Sequence, residues 1–117
     1  FRATDINRSK HQEVFIVMNN KIKNDAVDSL FQAILTLQSV EECYTFFEDA
    51  CTIKELLSLA QRFEVAQMLR EKRTYLEIAE KTGASTATIS RVNRCLNYGN
   101  DGYDLVLDRM KEQQEDE

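Results

Sequence analysis

A single glycine between two apolar-patterned runs is the feature that most restricts how this chain can fold. Residues 74–96 read TYLEIAEKTGASTATISRVNRCL. Thr74 and Glu77 have the spacing of a capping box, which predicts the start of a helix. Gly83 can adopt the positive φ that a tight turn needs, and Ser85 can cap a second helix. The segment therefore predicts two short helices joined by a glycine turn.

The apolar residues of this segment divide between the two predicted helices, at about 74–82 and 85–97. A small residue in the first helix lets the second cross close to it, and apolar residues spaced i and i+3 in the second hold it there. The residues expected to face inward are Leu76, Ile78, Ala79, Ile89 and Val92.

The rest of the chain is also patterned for helices. It contains no proline and only three glycines, a composition that favours helices with few sharp loops. Apolar residues recur at helical spacing from Asp25, and further helices are predicted at about 40–50 and after Thr52. Asp101 can cap a last helix. We therefore expect an all-α fold of about six helices, forming one domain over residues 18–112.

The two ends of the chain carry no such pattern. Residues 1–17 have no clear period, and we expect them to be a flexible extension or an expression remnant. Residues 113–117 are expected to form an acidic tail that frays. We assign no function to residues 1–17.

The formal net charge of −5 is unevenly distributed. Residues 101–117 hold seven acids and two bases, whereas residues 70–96 hold six bases and three acids. The positive charge is thus concentrated in the helix pair, where contact with a phosphate backbone would need it. A charge of this size is also common on a solvated helix surface.

Several functional classes are not expected from this sequence. No apolar run approaches the roughly 18 residues of a membrane span, and Val14–Met18 is too short for a signal-peptide core, so we expect a cytoplasmic protein. Cys43, Cys51 and Cys95 lack any CxxC pairing and are expected to be buried apolar side chains. His11 is the only histidine. We expect neither a metal site, a cofactor nor an enzyme.

A helix pair of this kind places the N-terminus of its second helix in the major groove of DNA. Hydroxyl groups can bond base edges or phosphates, methyl groups can touch thymine methyls, and arginines can reach guanine or phosphate. The second helix supplies Ser85, Thr86, Ala87, Thr88, Ser90, Arg91 and Arg94 as candidate DNA-contacting residues. Further candidates, for backbone contacts, are Arg70, Lys72, Arg73 and Lys81. The alternative is a helical dimerisation or protein-interaction module without DNA binding.

The stretch GASTATISR, residues 83–91, resembles the turn and reading helix of the Trp repressor. The resemblance covers about residues 25–112 and is closest to the YerC/YecD-type branch of the Trp-repressor superfamily, a group of short bacterial chains. It implies an intertwined homodimer, in which the N-terminal helices of one subunit wrap the other. It also implies a transcriptional regulator, most simply a repressor, that binds a palindromic operator in double-stranded DNA.

The resemblance extends to the effector pocket of the family. In the Trp repressor, tryptophan is held between two arginines, with a glycine beside one of them. The arginines correspond to Arg62, if one residue is dropped in the following turn, and to Arg91, whereas the glycine corresponds to Val92. A branched side chain would then occupy the place of the indole, so we expect DNA binding without tryptophan as corepressor. Another small-molecule effector is an open alternative, as is an ion pair of Arg62 with Glu55 or Glu64.

Overall fold

The structure, a computed structural model, describes residues 24–115 of the chain. This part contains helices and connecting turns, with no strand. The six helices are α1 (Asp25–Ile34), α2 (Val40–Ala50), α3 (Ile53–Arg70), α4 (Tyr75–Thr82), α5 (Thr86–Tyr98) and α6 (Gly102–Glu115). The predicted all-α fold is confirmed, and α4 and α5 are the predicted helix pair. The predictions made for residues 1–17 lie outside the described residues.

Short polar side chains cap the first turns of α1 and α3. The Asn24 side chain accepts a hydrogen bond from the Val27 N–H over 2.9 Å at the start of α1. At the start of α3, Thr52 and Glu55 exchange two hydrogen bonds, of 2.9 and 3.1 Å. Each bond satisfies a backbone or side-chain group that the first turn of a helix leaves without a partner. These caps fix where the helices start.

The starts of α2 and α6 differ from those of α1 and α3. Ser39 caps α2, but the Glu42 carboxylate accepts from the N–H of Gln38 rather than from that of Ser39. Asp101 precedes α6 with a φ of 62°, and its backbone carbonyl accepts from the Leu105 N–H over 2.9 Å. No side-chain bond from Asp101 to α6 is present among residues 24–115, so the prediction of a side-chain cap there is wrong.

The chain divides between Leu56 and Leu57 into two compact units, with the boundary inside α3. In the first unit, α1 and α2 contain no buried residue. Both helices carry apolar side chains that are exposed to solvent in the single chain. The exposed large apolar residues of this unit are Leu30, Phe31, Leu35, Val40, Tyr44 and Ile53.

The second unit contains the hydrophobic core. Three helices and the turn between α4 and α5 contribute to it. The buried residues are Val65, Ala66, Met68, Ile78, Ala84, Ile89 and Val92. Leu69, Ala79, Tyr103 and Leu107 pack against them while partly exposed. The helix pair is therefore anchored on the second half of α3 and on α6 through apolar burial, the main favourable term in folding.

Two apolar residues lie elsewhere than predicted. Leu76 is 69% exposed, although it was expected to face inward. It precedes the fully buried Ile78 by two residues, about 200° around the helix, and cannot share its face. Cys95 is exposed, whereas Cys43 and Cys51 are half-buried. Cys95 lies in the last turn of α5, beyond Val92, which is the last buried residue of that helix.

The last helix is longer than the composition suggested. Helix α6 continues to Glu115, into residues 113–117 that were assigned to an acidic tail. Its last residues are glutamine, glutamate and lysine, which have high helix propensity and can extend a helix without packing. None of the helices described in residues 24–115 is long and apolar enough to cross a membrane.

Candidate nucleic-acid interface

The candidate interface begins where α3 ends. The Arg73 N–H donates to the Met68 carbonyl over 3.1 Å, and the Lys72 N–H donates to the Leu69 carbonyl over 3.0 Å. This pair of bonds is a Schellman motif, which places Lys72 at the position where glycine is usual. Lys72 adopts a φ of 65°, in the left-handed region. The motif turns the chain sharply from α3 towards α4 and presents the Lys72 side chain to solvent.

A complete capping box starts α4. The Glu77 N–H donates to the Thr74 hydroxyl over 3.1 Å, and the Thr74 N–H donates to the Glu77 carboxylate over 3.0 Å. The Thr74 backbone bond, and then the bond from the Arg73 side chain, lower the pKa of the Glu77 carboxyl below its ordinary value. Because these donors favour the charged carboxylate, the first turn of α4 is most stable when Glu77 is ionised.

The turn between α4 and α5 has the predicted conformation. Gly83 adopts a φ of 73°, in the left-handed region, and its N–H donates to the Ala79 carbonyl over 2.9 Å. The Thr82 hydroxyl donates to the Ile78 carbonyl over 2.7 Å and accepts from the Ala84 N–H over 3.1 Å. Ala84 is buried in the core. The turn is therefore held by hydrogen bonds on one side and by packing on the other.

Ser85 caps α5, as predicted. Its hydroxyl oxygen accepts from the Thr88 N–H over 3.1 Å. The same hydroxyl lies 3.1 Å from the Thr88 hydroxyl oxygen and donates to it. The two hydroxyl groups thus form a fixed pair at the N-terminus of α5, where the helix dipole favours negative charge.

Helix α5 has one buried face and one polar face. Ile89 and Val92 are fully buried, as the sequence predicted. The predicted DNA-contacting residues lie outside this apolar stripe, and all of them reach solvent. Ser85, Thr86, Ala87, Arg91 and Arg94 are exposed, whereas Thr88 and Ser90 are half-buried. The N-terminal half of α5 therefore presents small, hydroxyl-rich side chains around one arginine.

The six cations of this region fall into two groups. Arg70 lies 2.7 Å from the Asp108 carboxylate and 3.3 Å from that of Asp104. Arg73 lies 3.0 Å from the Glu77 carboxylate. The other four cations form no ion pair with any residue in the described part of the chain. They are Lys72, Lys81, Arg91 and Arg94.

The residues that correspond to the effector pocket of the family are in different environments. Arg62 is half-buried, and its Nε atom is buried without a hydrogen-bond partner within residues 24–115. The alternative of an ion pair between Arg62 and Glu55 or Glu64 is not seen in this range. Arg91 is exposed, and Val92 is 1% exposed within the core. The Val92 side chain thus contributes to packing.

Sequence reasoning missed three features of this region. It did not find that Asp104 and Asp108 pair with Arg70, that Lys72 adopts the left-handed conformation, or that Gln61 bonds the end of α4. Two of them left a sequence signal. The two aspartates are spaced i and i+4, and the α3–α4 turn contains no glycine, so another residue type had to adopt the positive φ.

The arrangement defines an all-α protein with a helix-turn-helix whose second helix presents a polar N-terminus. The chain belongs to the Trp repressor family, since the family model described as Trp repressor protein matches residues 25–111. Within the described residues, no group of histidine, cysteine, aspartate or glutamate side chains could hold a metal ion.

Relatives of known sequence or structure agree with this assignment. The chain is 62% identical over 93 residues to the uncharacterised protein YerC of Bacillus subtilis (strain 168), covering 80% of this chain and 89% of that protein. A TrpR-like protein from Eubacterium eligens is 73% identical, with a TM-score of 0.77, covering 80% of this chain and 96% of that one. A candidate Trp repressor from Staphylococcus aureus is 54% identical, with a TM-score of 0.77, covering 80% of this chain and 93% of that one.

Proposed function

We propose that this protein is a sequence-specific regulator of transcription, acting as a repressor in the bacterial cytoplasm, that places α5 in the major groove of double-stranded DNA. The observation that carries the proposal is the two-faced geometry of α5. Its apolar face, formed by Ile89 and Val92, is buried, so the opposite polar face must point away from the protein. In a helix-turn-helix, this is the face that meets base edges.

The exposed side chains of α5 are suited to that role. Ala87 and the methyl group of Thr86 can contact thymine methyls, and Arg91 can bond guanine or a phosphate. Ser85 and Thr88 supply hydroxyl groups near the helix N-terminus, where a phosphate is attracted both by the dipole and by free backbone N–H groups. We propose that Ser90 and Arg94 also contact the DNA, one turn further along the helix.

The backbone of the DNA would be met by the unpaired cations. Lys72, Lys81, Arg91 and Arg94 form no ion pair within the described residues, so their charge is available to phosphates. Each phosphate neutralised makes the slope of log K against log salt concentration about 0.9 more negative. Binding to duplex DNA should therefore weaken steeply as salt rises, even though the whole chain carries a net charge of −5.

We propose that the active form is an intertwined homodimer that binds a palindromic operator. The exposed apolar residues of α1 and α2 support this, because a single chain leaves them in water. Leu35, for example, is 83% exposed. A second copy that covered these residues would remove a large apolar surface from solvent, as in obligate dimers. Two reading helices would then lie about 34 Å apart, one turn of DNA.

We further propose that tryptophan is not the corepressor. The family glycine beside the indole corresponds to Val92, and the Val92 side chain fills the core instead of leaving room for a ligand. Arg62 and Arg91 retain the two arginines of that pocket, and the buried Nε of Arg62 has no partner within residues 24–115. An anionic effector other than tryptophan is compatible with these two residues.

The test is selection of bound fragments from a random duplex library by the full chain, with and without tryptophan. We expect a palindromic site with half-sites one helical turn apart, recovered equally in both conditions. Thr88→Ala combined with Arg91→Ala should weaken binding to that site by at least about 1–3 kcal/mol. Arg109→Ala, which removes one exposed arginine from α6, is the matched control and should leave site selection unchanged.

Two results would contradict the proposal. Recovery of a site only with tryptophan would mean that Val92 does not close the pocket. The absence of enrichment in both conditions would favour the second candidate, a helical dimerisation or interaction module without DNA binding. The exposed apolar residues of α1 and α2 support that candidate as well, because they fit a protein partner regardless of DNA.

A further inference from the structure

We propose that Asp104 and Asp108 on α6 hold Arg70 in an intramolecular ion pair that keeps its charge away from DNA phosphates. The two aspartates would thereby lower affinity for DNA of any sequence and leave recognition to α5. This inference rests on the proposed DNA binding, and it assigns a role in setting the affinity for the DNA backbone to residues outside the helix-turn-helix.

The geometry engages both ends of the Arg70 guanidinium. Its Nη2 lies 2.7 Å from the Asp108 Oδ1, and its Nη1 lies 3.3 Å from the Asp104 Oδ1. The Nη1 also donates to the backbone carbonyl of Asp104 over 3.4 Å. Asp104 and Asp108 are spaced i and i+4, so their side chains lie one above the other on α6 and can both reach one arginine.

The position of Arg70 makes its charge relevant to DNA. It is the last residue of α3 and lies two residues before Lys72, an unpaired cation in the turn that leads to α4. The Arg70 side chain is 32% exposed, so its guanidinium can be reached from solvent. Without the aspartates, residues 70–96 would therefore present five unpaired cations, counted among the described residues, instead of four.

Holding one arginine back should weaken binding to the DNA backbone without removing any base contact. Non-specific binding depends almost entirely on phosphate contacts, whereas specific binding also gains from base contacts. Removing one phosphate contact from each protomer lowers affinity for a random site and for a specific site by about the same factor. The pair therefore lowers affinity for both kinds of site and leaves their ratio, which the base contacts of α5 set, unchanged.

Helix α6 provides the matched control for this idea. Glu112 and Glu115 lie further along the same helix and form no ion pair in the described range. Glu112→Gln with Glu115→Gln removes two negative charges without releasing an arginine. Asp104→Asn with Asp108→Asn removes the same charge, keeps side-chain size, and releases Arg70. Both double changes are also made in a protein that carries Arg70→Ala. The comparison separates the effect of releasing the arginine from the effect of a general loss of negative charge.

Binding to two ligands should be measured for six proteins. These carry the unaltered α6, the two aspartate changes or the two glutamate changes, each with Arg70 present and with Arg70→Ala. Random duplex DNA gives the salt slope of binding, and immobilised heparin gives the elution salt on a polyanion that needs no reading helix. With Arg70 present, the aspartate changes should steepen the slope by about 0.9 per protomer and delay elution from heparin. In the Arg70→Ala background, that increase should disappear.

The outcomes separate this inference from the proposed function. An equal gain from the aspartate changes in both backgrounds, or no gain in either, would overturn the ion-pair role even if the protein selects an operator. An Arg70-dependent gain on heparin without binding to any duplex would support the ion-pair role and reject the proposed function. If the double aspartate variant does not fold, Asp108→Asn alone, which removes the 2.7 Å contact, carries the same comparison.

Discussion

The side-chain amide of Gln61 donates a hydrogen bond over 3.0 Å to the backbone carbonyl of Thr82, the last residue of α4. The last carbonyls of a helix have no partner within the helix, so this bond supplies one from α3. The Thr82 hydroxyl meanwhile accepts from the N–H of Ala84, in the turn. Thr82 is thus held on its carbonyl and on its side chain, which fixes the direction in which α5 leaves the turn.

Replacing Gly83 by alanine should test how strictly this turn depends on its backbone. A Cβ at Gly83 would meet only the Gln61 Nε2 atom, at 4.0 Å, so no steric clash is expected. The cost should come from the left-handed φ alone, about 1–2 kcal/mol in the free energy of unfolding. Urea unfolding followed by circular dichroism would measure this cost.

Gly102→Ala is the control for the Gly83 change. No atom lies within 4 Å of a Cβ built at Gly102, and its φ is not positive. Alanine there should leave stability unchanged or raise it by up to about 1 kcal/mol. Equal stability of Gly83→Ala and the unaltered protein would show that the turn does not need the left-handed conformation.

The elements of this fold that depend on local chemistry could be predicted from sequence. The capping box at Thr74, the glycine turn at Gly83 and the cap at Ser85 each involve residues within three positions of one another, so spacing alone indicates them. The burial of Ile89 and Val92 follows from their period. For the same reason, the approximate bounds of all six helices were found.

The elements that depend on tertiary packing could not be predicted. The pairing of Arg70 with Asp104 and Asp108 joins residues 34 and 38 positions apart, and no local pattern connects them. Leu76 was assigned to the core because it is apolar, although its position on α4 places it opposite Ile78. Which residues of the candidate site touch DNA is likewise not fixed by sequence, and those assignments stay predictions.

Lys72 should show the cost of placing a side chain in the left-handed region at the end of α3. Lys72→Gly and Lys72→Ala remove the same charge, but only the alanine keeps a Cβ at a φ of 65°. We expect the glycine variant to be more stable than the alanine variant by about 1 kcal/mol, measured by urea unfolding. Equal stability would mean that the turn relaxes and stores no strain.

The same two variants test the proposed phosphate contact. Because both lose the ammonium group of Lys72, both should reduce the salt slope of binding to random duplex DNA by about 0.9 per protomer. A slope that is unchanged in both would exclude Lys72 from the DNA-contacting surface. A change in only one of them would point to the backbone conformation rather than the charge.

Truncating two apolar residues of the helix pair should change the free energy of unfolding by very different amounts. Ile89 is 0% exposed, and Ile89→Ala should lower the free energy of unfolding by about 2–5 kcal/mol through lost burial and a residual cavity. Leu76 lies on the exposed side of α4, so Leu76→Ala should change stability by less than about 0.5 kcal/mol. Thermal or urea unfolding measures both, and a cost at Leu76 similar to that at Ile89 would show that another surface covers it in the folded protein.

The capping boxes of α3 and α4 should make stability depend on pH in the acid range. The Thr52 backbone N–H, with the Thr52 side chain, lowers the pKa of Glu55, and the Thr74 N–H is the main cause for Glu77. A carboxyl whose pKa is lower in the folded state stabilises the fold above the ordinary pKa of about 4.3. That contribution is lost as the pH falls through the lowered value.

Glu55→Gln combined with Glu77→Gln should remove this dependence. Glutamine can still accept the backbone bond of a capping box, but it does not titrate. Compared with the unaltered protein, the double variant should be less stable at neutral pH, and the difference should shrink as the pH falls below about 4.3. Thermal unfolding midpoints at a series of pH values would measure the difference, and a gap between the two proteins that stays constant across the acid range would contradict the assigned role of both carboxylates.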